Sequence, residues 1–240
     1  MLANPPAFSA LLFGLSGCLV DFGARTLPTA MQRLYPGQRA EQLNAAHSAL
    51  EQRLGRPPSA GERQALDQAL SEAACEHAEA TPGALVQLQQ LHQQNVPCAW
   101  LDELPRDASS TLATPLPHWL AAAPGRVGRP WPAPDACWQA LMDLQVAQLD
   151  GCVLISGEPR LLQAGLNAGL WTIGLAACGS LCGQTPADWQ TLAAAERDQL
   201  RTQATLTLYR LGVHAVIDQL TELDPCLADL GLRRQKGEKP

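Results

Sequence analysis

The feature that most constrains the fold of this chain is an uncharged run near its N-terminus, residues 9–20, which leads into a glycine-containing loop. A strand with no charge on either face is typical of the centre of a parallel sheet, where helices cover both sides. Ligands of open α/β sheets bind just beyond the carboxyl ends of the strands. We therefore predict a central parallel strand here, with a functional site close to residues 14–18.

From residue 96 onward, short apolar runs alternate with segments of helical pattern. Strands are predicted at residues 96–101, 118–123, 152–156, 170–175 and 214–217, and helices at 82–95, 134–146, 159–167, 185–211 and 218–230. This alternation predicts an α/β fold with a doubly wound parallel sheet. Only the tail from about residue 233 is expected to be disordered.

A polar, helical segment separates the first strand from the rest of the sheet. Helices are predicted at residues 28–36, 39–54 and 59–80, and Ser59 with Glu62 has the pattern of a capping box at the start of the third helix. We therefore predict a core domain made of residues 1–23 plus 82–240, with a small helical cap, residues 24–81, inserted after the first strand.

The charge of the chain limits its partners. The formal net charge is −6 and the sequence pI is about 5.3, and no basic cluster precedes Arg233-Arg234-Gln235-Lys236. Nucleic acid and anionic membranes are therefore disfavoured as partners. The lysines of the chain are Lys236 and Lys239, so a Schiff-base lysine cannot lie in the body of the protein.

The eight cysteines lie mostly in apolar segments, which is typical of buried free thiols in a reducing compartment. Residues 15–18, Leu-Ser-Gly-Cys, have the form of a lipoprotein cleavage box, but no Lys or Arg precedes Arg25, so the positive region of a signal peptide is missing. No other segment approaches the ~18 apolar residues of a membrane span. We expect a cytoplasmic protein without a membrane anchor.

Four segments resemble motifs of a known family: FGLSGCLVDFG at 13–23, GRP at 128–130, GLNAGLWTIG at 165–174 and GVHAVID at 212–218. They are similar to the phosphonoacetaldehyde hydrolase branch of the haloacid dehalogenase superfamily. The resemblance implies a Rossmann-like core with a cap inserted after the first strand. It also implies hydrolase chemistry with a covalent intermediate on an aspartate and a bound Mg²⁺.

The same resemblance implies that the catalytic side chains of the family are missing. Gly14 occupies the position of the nucleophilic aspartate, and Ser16 that of the alanine or general acid two residues further on. Leu101 stands where a Thr or Ser contacts the phosphate, while Gly157 and Leu161 replace the two acids of the magnesium motif. The cap lysine with which the family forms an imine to its aldehyde substrate also has no counterpart, because the lysines of this chain are Lys236 and Lys239. We therefore expect the Mg²⁺ site to be lost and no cofactor to be bound.

We interpret the chain as a non-catalytic relative that binds a small anionic ligand or a protein partner. The candidate ligand-binding residues are Arg129, Ser16, Cys18, Asp102 and Glu158. Introducing aspartate at positions 14, 157 and 161 together is expected to restore Mg²⁺ affinity. The five histidines and the tryptophans at 131, 138 and 171 are expected to be structural, and the tryptophans to lie in the core.

Two alternatives stay open. The first is a phosphatase-type or phosphonatase-type hydrolase that acts through other residues, such as a Cys18 thiolate, which would need a nearby base or a positive field. The second is an interaction protein that forms a homodimer through the cap, in particular through the helix predicted at 59–80.

Overall fold

The computed structural model describes residues 8–37, 46–122 and 128–240. Six strands form one parallel sheet in the order β3-β2-β1-β4-β5-β6. The strands are β1 Ala10–Gly14, β2 Cys98–Leu101, β3 Ala121–Ala122, β4 Cys152–Ser156, β5 Trp171–Leu175 and β6 Ala215–Ile217. The predicted doubly wound parallel sheet is therefore confirmed, and β1, which is buried along its whole length, lies inside it.

The helices cover both faces of this sheet, as the separate apolar clusters on each side indicate. They are α1 Thr26–Leu34, α2 Ala46–Leu54, α3 Ala60–His77, α4 Ala84–Gln93, α5 Arg106–Leu112, α6 Asp135–Asp143, α7 Pro159–Asn167, α8 Pro186–Thr191, α9 Ala194–Leu211 and α10 Leu223–Gln235. A 3₁₀ turn, Leu220–Glu222, precedes α10. Part of the helix predicted at 39–54 lies outside the described residues, because the description resumes at residue 46.

Some predicted elements differ from those in the structure. The helix predicted at 185–211 is divided into α8 and α9, because the chain is extended at Leu192 and Ala193. Helix α5 was not predicted. Helix α10 continues into the tail that was expected to be disordered, where Arg233 stacks over the ring of Trp171. The prediction of a core position is wrong for Trp138, whose side chain is exposed on α6.

The register of the sheet aligns the ends of its central strands. Gly14 of β1 pairs with Leu101 of β2, and Phe13 pairs with Ile155, so Gly14 also lies level with Ser156 of β4. Ser156 in turn pairs with Gly174. The carboxyl ends of β1, β2 and β4 therefore meet at one edge, where a parallel sheet places its ligand site.

Helices α1 to α3 follow β1, where the resemblance placed a cap. Helix α3 contacts both α1 and α5. Its apolar residues, including Leu66 and Leu70, belong to the same hydrophobic cluster as Phe13 of β1. The division of residues 24–81 from the core thus stays a prediction. In the part of the chain that the structure describes, no helix has the length and apolar character needed to cross a bilayer.

Candidate functional site

We use the name strand-end site for the residues that end or follow the three central strands: 14–17 after β1, 101–103 after β2 and 156–158 after β4. The register brings these segments side by side. This location agrees with the site predicted near residues 14–18 and sets which side chains can act together.

At the end of β1, Gly14 faces the side chains of β4 and α7. A Cβ atom added to Gly14 would lie 2.6 Å from Ser156 Oγ and 3.4 Å from Leu161 Cδ2. Ser156 and Leu161 are both fully buried, and Ser156 Oγ accepts the backbone N–H of Glu158 at 2.9 Å. The volume that a side chain at position 14 would enter is therefore already filled.

The loop after β4 is pressed between two other loops. A Cβ atom on Gly157 would lie 2.4 Å from the carbonyl oxygen of Gly17 and 2.4 Å from Cα of Gly179. The N–H of Ser180 also donates to the carbonyl of Gly157 at 3.2 Å. Because these neighbours are backbone atoms, an aspartate at position 157 does not fit this structure. The substitutions expected to restore Mg²⁺ affinity are thus incompatible with the observed packing.

Ser16 is linked through Asp21 to the start of α1, the first helix of the insert, which is the name used here for residues 24–81. Its hydroxyl donates to Asp21 Oδ2 at 2.7 Å, and the same carboxylate accepts the N–H groups of Arg25 at 2.9 Å and Thr26 at 3.1 Å. Asp21 is almost fully buried, so it satisfies the free N–H groups at the start of α1 from inside the protein. Asp21 lies within the motif at residues 13–23, but no role was predicted for it.

Cys18 lies inside the core. Its side chain is fully buried, and Sγ is 3.4 Å from the carbonyl oxygen of Ile155. Burial raises the pKa of this thiol well above its usual value, and the neighbouring Cys178 raises it further. The burial of Cys18 and the raised pKa of its thiol therefore argue against both the thiolate nucleophile and the ligand contact predicted there. A buried Cys18 also does not fit the lipoprotein alternative.

Asp102 is the polar group after β2. Its carboxylate accepts the N–H of Glu103 at 2.8 Å and the hydroxyl of Ser109 at 3.1 Å. Burial raises the pKa of Asp102 to about 7, and the negative charge of Asp21 adds a smaller increase. Leu101, directly before it, is buried in an apolar cluster with Leu161. Asp102 therefore contributes to the strand-end site, whereas Leu101 contributes to the core.

Glu158 and Arg160 bring opposite charges to the edge of β4. Glu158 accepts the N–H of Arg160 at 3.1 Å, which caps α7, and burial raises the pKa of its carboxyl. Arg160 Nη1 donates to Glu103 Oε2 at 3.0 Å, and its Nη2 donates to the carbonyl of Trp131. Glu103 Oε1 accepts the N–H of Trp131 at 2.6 Å. Glu103 and Arg160 thus hold the loop around Trp131 against the site.

Neither Glu103 nor Arg160 was predicted to be a site residue. A signal was present, because both residues lie within four positions of a predicted strand end, as do Asp102 and Glu158. Their pairing over a sequence distance of 57 residues could be found only from the fold.

Arg129 was expected to remain as the cation facing a phosphate. In the structure its backbone N–H, Nε and Nη2 all donate to Asp135, at 2.7, 3.0 and 2.9 Å. The side chain is 73% exposed, and the ion pair lowers the pKa of Asp135 to about 2. Arg129 therefore serves the start of α6, while Arg160 is the arginine bonded to the strand-end site.

The oxygen donors of the strand-end site do not fit the Mg²⁺ that the resemblance implies. Magnesium prefers several oxygen ligands in octahedral geometry, usually including one or two carboxylates. Positions 14, 157 and 161 offer no side-chain oxygen, and the Asp21 carboxylate is occupied by three donors. Within residues 8–37, 46–122 and 128–240, no group of three or more His, Cys, Asp or Glu side chains is arranged to hold a metal ion.

His214 makes structural contacts. Its Nδ1 accepts the N–H of Thr172 at 3.0 Å, its backbone carbonyl accepts Arg233 Nη1, and its ring meets Trp171 edge-on. Trp171 and Trp131 are buried, as predicted. His214 and Trp171 stabilise the β5–β6 side of the sheet, whereas Trp131 packs in the apolar cluster that contains Leu101 and Leu161.

Comparison with known proteins places these observations in a family. No protein-family model matches the chain. The phosphonoacetaldehyde hydrolase of Klebsiella pneumoniae subsp. pneumoniae is 36% identical over 127 residues, which cover 51% of this chain and 45% of that protein. The phosphonoacetaldehyde hydrolase of Aeromonas hydrophila subsp. hydrophila is 31% identical over 174 residues, which cover 68% of this chain and 61% of that protein. The similarity thus spans about half of these relatives' own length.

Solved structures share the fold over nearly the whole chain. A phosphonoacetaldehyde hydrolase-like protein from Oleispira antarctica superimposes with a TM-score of 0.85 at 22% identity and covers 100% of this chain and 99% of that one. A haloacid dehalogenase (HAD) family hydrolase from Deinococcus radiodurans, solved with phosphate and sodium, has a TM-score of 0.59 at 23% identity, with coverage of 95% and 98%. Sequence similarity and fold together show that the chain belongs to the HAD superfamily, in its phosphonoacetaldehyde hydrolase-like branch.

Proposed function

We propose that this protein is a non-catalytic member of its branch, which acts by binding and does not hydrolyse phosphonates or phosphate esters. The packing at Gly14 is the observation that carries the proposal. A covalent mechanism needs a nucleophile at the end of β1, and the space there is taken by Ser156 and Leu161.

The charges of the strand-end site support the same proposal. Asp21, Asp102, Glu103 and Glu158 bring carboxyl groups to this region, whereas Arg160 is already paired with Glu103. Phosphoryl transfer depends on cations that neutralise the charge on the phosphoryl oxygens. Because the one arginine bonded to the site is already paired, these carboxyl groups oppose both the binding of a phosphate and the stabilisation of its transition state.

Two kinds of bound partner remain proposals. A small anion near Arg129 would compete with Asp135, and one near Arg160 would compete with Glu103. A protein partner, including a second copy bound through the insert, requires neither exchange. In a cap-mediated homodimer the interface would use the polar outer face of α3, with Gln68 and Glu72, because its apolar face is buried within the chain.

Light scattering tests the homodimer. If α3 forms the interface, Glu72→Arg should convert dimer to monomer, while Glu196→Arg on α9 should leave the mass unchanged. A monomeric wild-type protein would remove the homodimer from consideration. A thermal shift with inorganic phosphate, absent in Arg129→Ala, would favour the small anion instead.

Hydrolysis through other residues is the competing function. Cys18 does not support it, since its thiol is buried and its pKa is raised. Asp102 and Glu158 are the remaining acid–base candidates, because burial raises the pKa of both groups into or toward the range that suits proton transfer.

A turnover assay separates the two functions. Phosphate release is measured from phosphonoacetaldehyde and from p-nitrophenyl phosphate, with and without Mg²⁺, and the Klebsiella relative serves as the positive control. We expect no release above the buffer rate. Turnover at an ordinary enzymatic rate, on the order of 1–10³ s⁻¹, that disappears in Asp102→Asn or Glu158→Gln would overturn the proposal.

A further inference from the structure

Two carboxylates, the buried Asp21 and the half-buried Asp102, bind helices that α3 contacts. Asp21 binds the start of α1 through the N–H groups of Arg25 and Thr26. Asp102 binds the segment that leads into α5, through the N–H of Glu103 and the hydroxyl of the buried Ser109. Helix α3 contacts both α1 and α5. Each aspartate is thus bonded to a helix, or to the segment before it, that α3 contacts.

The packing beyond these aspartates is apolar. Ala108 and Leu112 of α5 share one hydrophobic cluster with Leu66 and Leu70 of α3. The hydrophobic effect that favours this contact is itself non-directional. The hydrogen bonds of Asp102 thus supply the directional link between the end of β2 and the helix against which α3 rests.

The two aspartates differ in how well their charge is compensated. Asp21 accepts three hydrogen bonds of 2.7 to 3.1 Å. Asp102 accepts two good bonds and a longer one of 3.4 Å from Leu104. The charged group that acts on Asp102 from the loop after β1 is Asp21, and the adjacent Glu103 is paired with Arg160 from α7. Among the described residues, no Arg, Lys or His donates to Asp102.

We propose that Asp102 is a pH-sensitive latch, which holds α5 and thereby α3 against the core when it is protonated and loosens them when it is ionised. In the protonated form the repulsion from Asp21 and the cost of burying a charge are both removed. The carbonyl oxygen of the acid can still accept the N–H of Glu103. This inference does not depend on whether the protein is catalytic.

The direction of the pH effect follows from proton linkage. Burial raises the pKa of Asp102 to about 7 in the closed state, whereas an exposed aspartate has a pKa of about 3.9. The closed state therefore binds more protons between these two values. Its stabilisation is complete below pH ~4, falls as the pH rises toward 7 and is lost above that range.

Hydrogen exchange of the full chain tests the latch. The opening of α5 and α3 is measured at pH 5 and pH 8 by amide exchange corrected for intrinsic rates, with α7 as an internal reference. With a closed-state pKa of about 7 and an exposed value of about 3.9, we expect the opening equilibrium of α5 and α3 to rise up to about a hundredfold between these pH values, relative to α7. Asp102→Asn should remove this pH dependence, because the amide keeps the shape and does not titrate.

Matched variants make the outcome decisive. Asp107→Asn removes an exposed carboxylate from the same helix and should behave as the wild type. If Asp102→Asn does not fold, Ser109→Ala replaces it. The hydroxyl of Ser109 stabilises the ionised carboxylate of Asp102 more than the protonated acid. Removing it should therefore raise the opening equilibrium of α5 more at pH 8 than at pH 5. Equal protection of α5 at both pH values, pH dependence retained in Asp102→Asn, or equal effects of Ser109→Ala at both pH values would overturn the proposal.

Discussion

At position 14 the space beside the backbone is occupied by side chains of β4 and α7. An added Cβ would lie 2.6 Å from Ser156 Oγ, which is closer than normal van der Waals contact. The identity of Gly14 could be noted from the sequence, but its neighbours could not, because Ser156 and Leu161 approach it from a strand and a helix far along the chain. The structure therefore adds the neighbours of Gly14, which the motif alone does not show.

The packing at Gly14 gives a prediction about stability. Gly14→Ala should lower the free energy of unfolding by about 1–3 kcal/mol, the usual cost of overpacking. In the Ser156→Ala background the loss should be smaller, because the hydroxyl that an added Cβ meets has been removed. Urea denaturation of the four proteins in this double-mutant cycle measures the coupling. Equal losses in both backgrounds would contradict the assigned contact.

The burial of Cys18 predicts its chemical reactivity. The thiolate is the reactive form of cysteine, and both exposure and a low pKa promote it. In the native protein at pH 7.5, an alkylating reagent should modify the exposed Cys75 long before Cys18. Peptide mass spectrometry follows the two sites, and unfolding in urea should make their rates similar. Modification of native Cys18 at the rate of Cys75 would restore it as a candidate nucleophile.

At the scale of elements, helices and strands that a local sequence pattern stabilises could be predicted, whereas those that depend on tertiary contacts could not. Strand β4 and helix α7 were predicted at their observed ends, because a fully buried apolar run is followed by a proline that starts the helix. Helix α5 was missed because its residues, Arg106–Leu112, include two serines and a threonine, which have low helix propensity. Its contact with α3 overrides that preference, and no local pattern reveals such a contact.

The link between β2, α7 and the loop around Trp131 gives an element-scale prediction. Arg160→Ala leaves Glu103, whose side chain is only 10% exposed, without its cation. Removing one partner of a buried ion pair typically costs about 3–5 kcal/mol, and partial solvent access of Arg160 reduces this to about 2–3 kcal/mol. Thermal and urea unfolding measure the loss.

Arg129→Ala provides the matched control, since its ion pair with Asp135 is largely exposed. Exposed pairs contribute little to stability, so this variant should unfold close to the wild type. If both variants unfold alike, the loop is not held by Glu103 and Arg160.

At the scale of the whole molecule, three loops from β1, β4 and β5 are in backbone contact at the strand-end site. The sheet, its parallel direction and the insert after β1 could be predicted, because they follow from the order of apolar and helical segments. The closure of the loops could not, since it depends on backbone approach between Gly17, Gly157 and Gly179. Glycines in a sequence show where such approach is possible, but they do not show which segments meet.

The backbone contact between these loops predicts that the same substitution, glycine to aspartate, has different effects on stability at positions 157 and 61. Gly157→Asp places new atoms against backbone on both sides and should destabilise the protein by at least about 3 kcal/mol, or prevent folding. Gly61→Asp introduces the same side chain in open space in the first turn of α3, where a negative charge is favoured, and should be neutral or stabilising. Soluble yield and melting temperature of the two variants provide the measurement. A stable Gly157→Asp protein would contradict the closed arrangement.

The most direct test of the non-catalytic proposal is a crystal structure of the wild-type protein soaked with Mg²⁺ and phosphate. The proposal predicts no ordered metal between residues 14–17 and 156–161, and Gly14 still packed against Ser156. An octahedral ion coordinated in that space, with a phosphate bound beside it, would contradict the proposal.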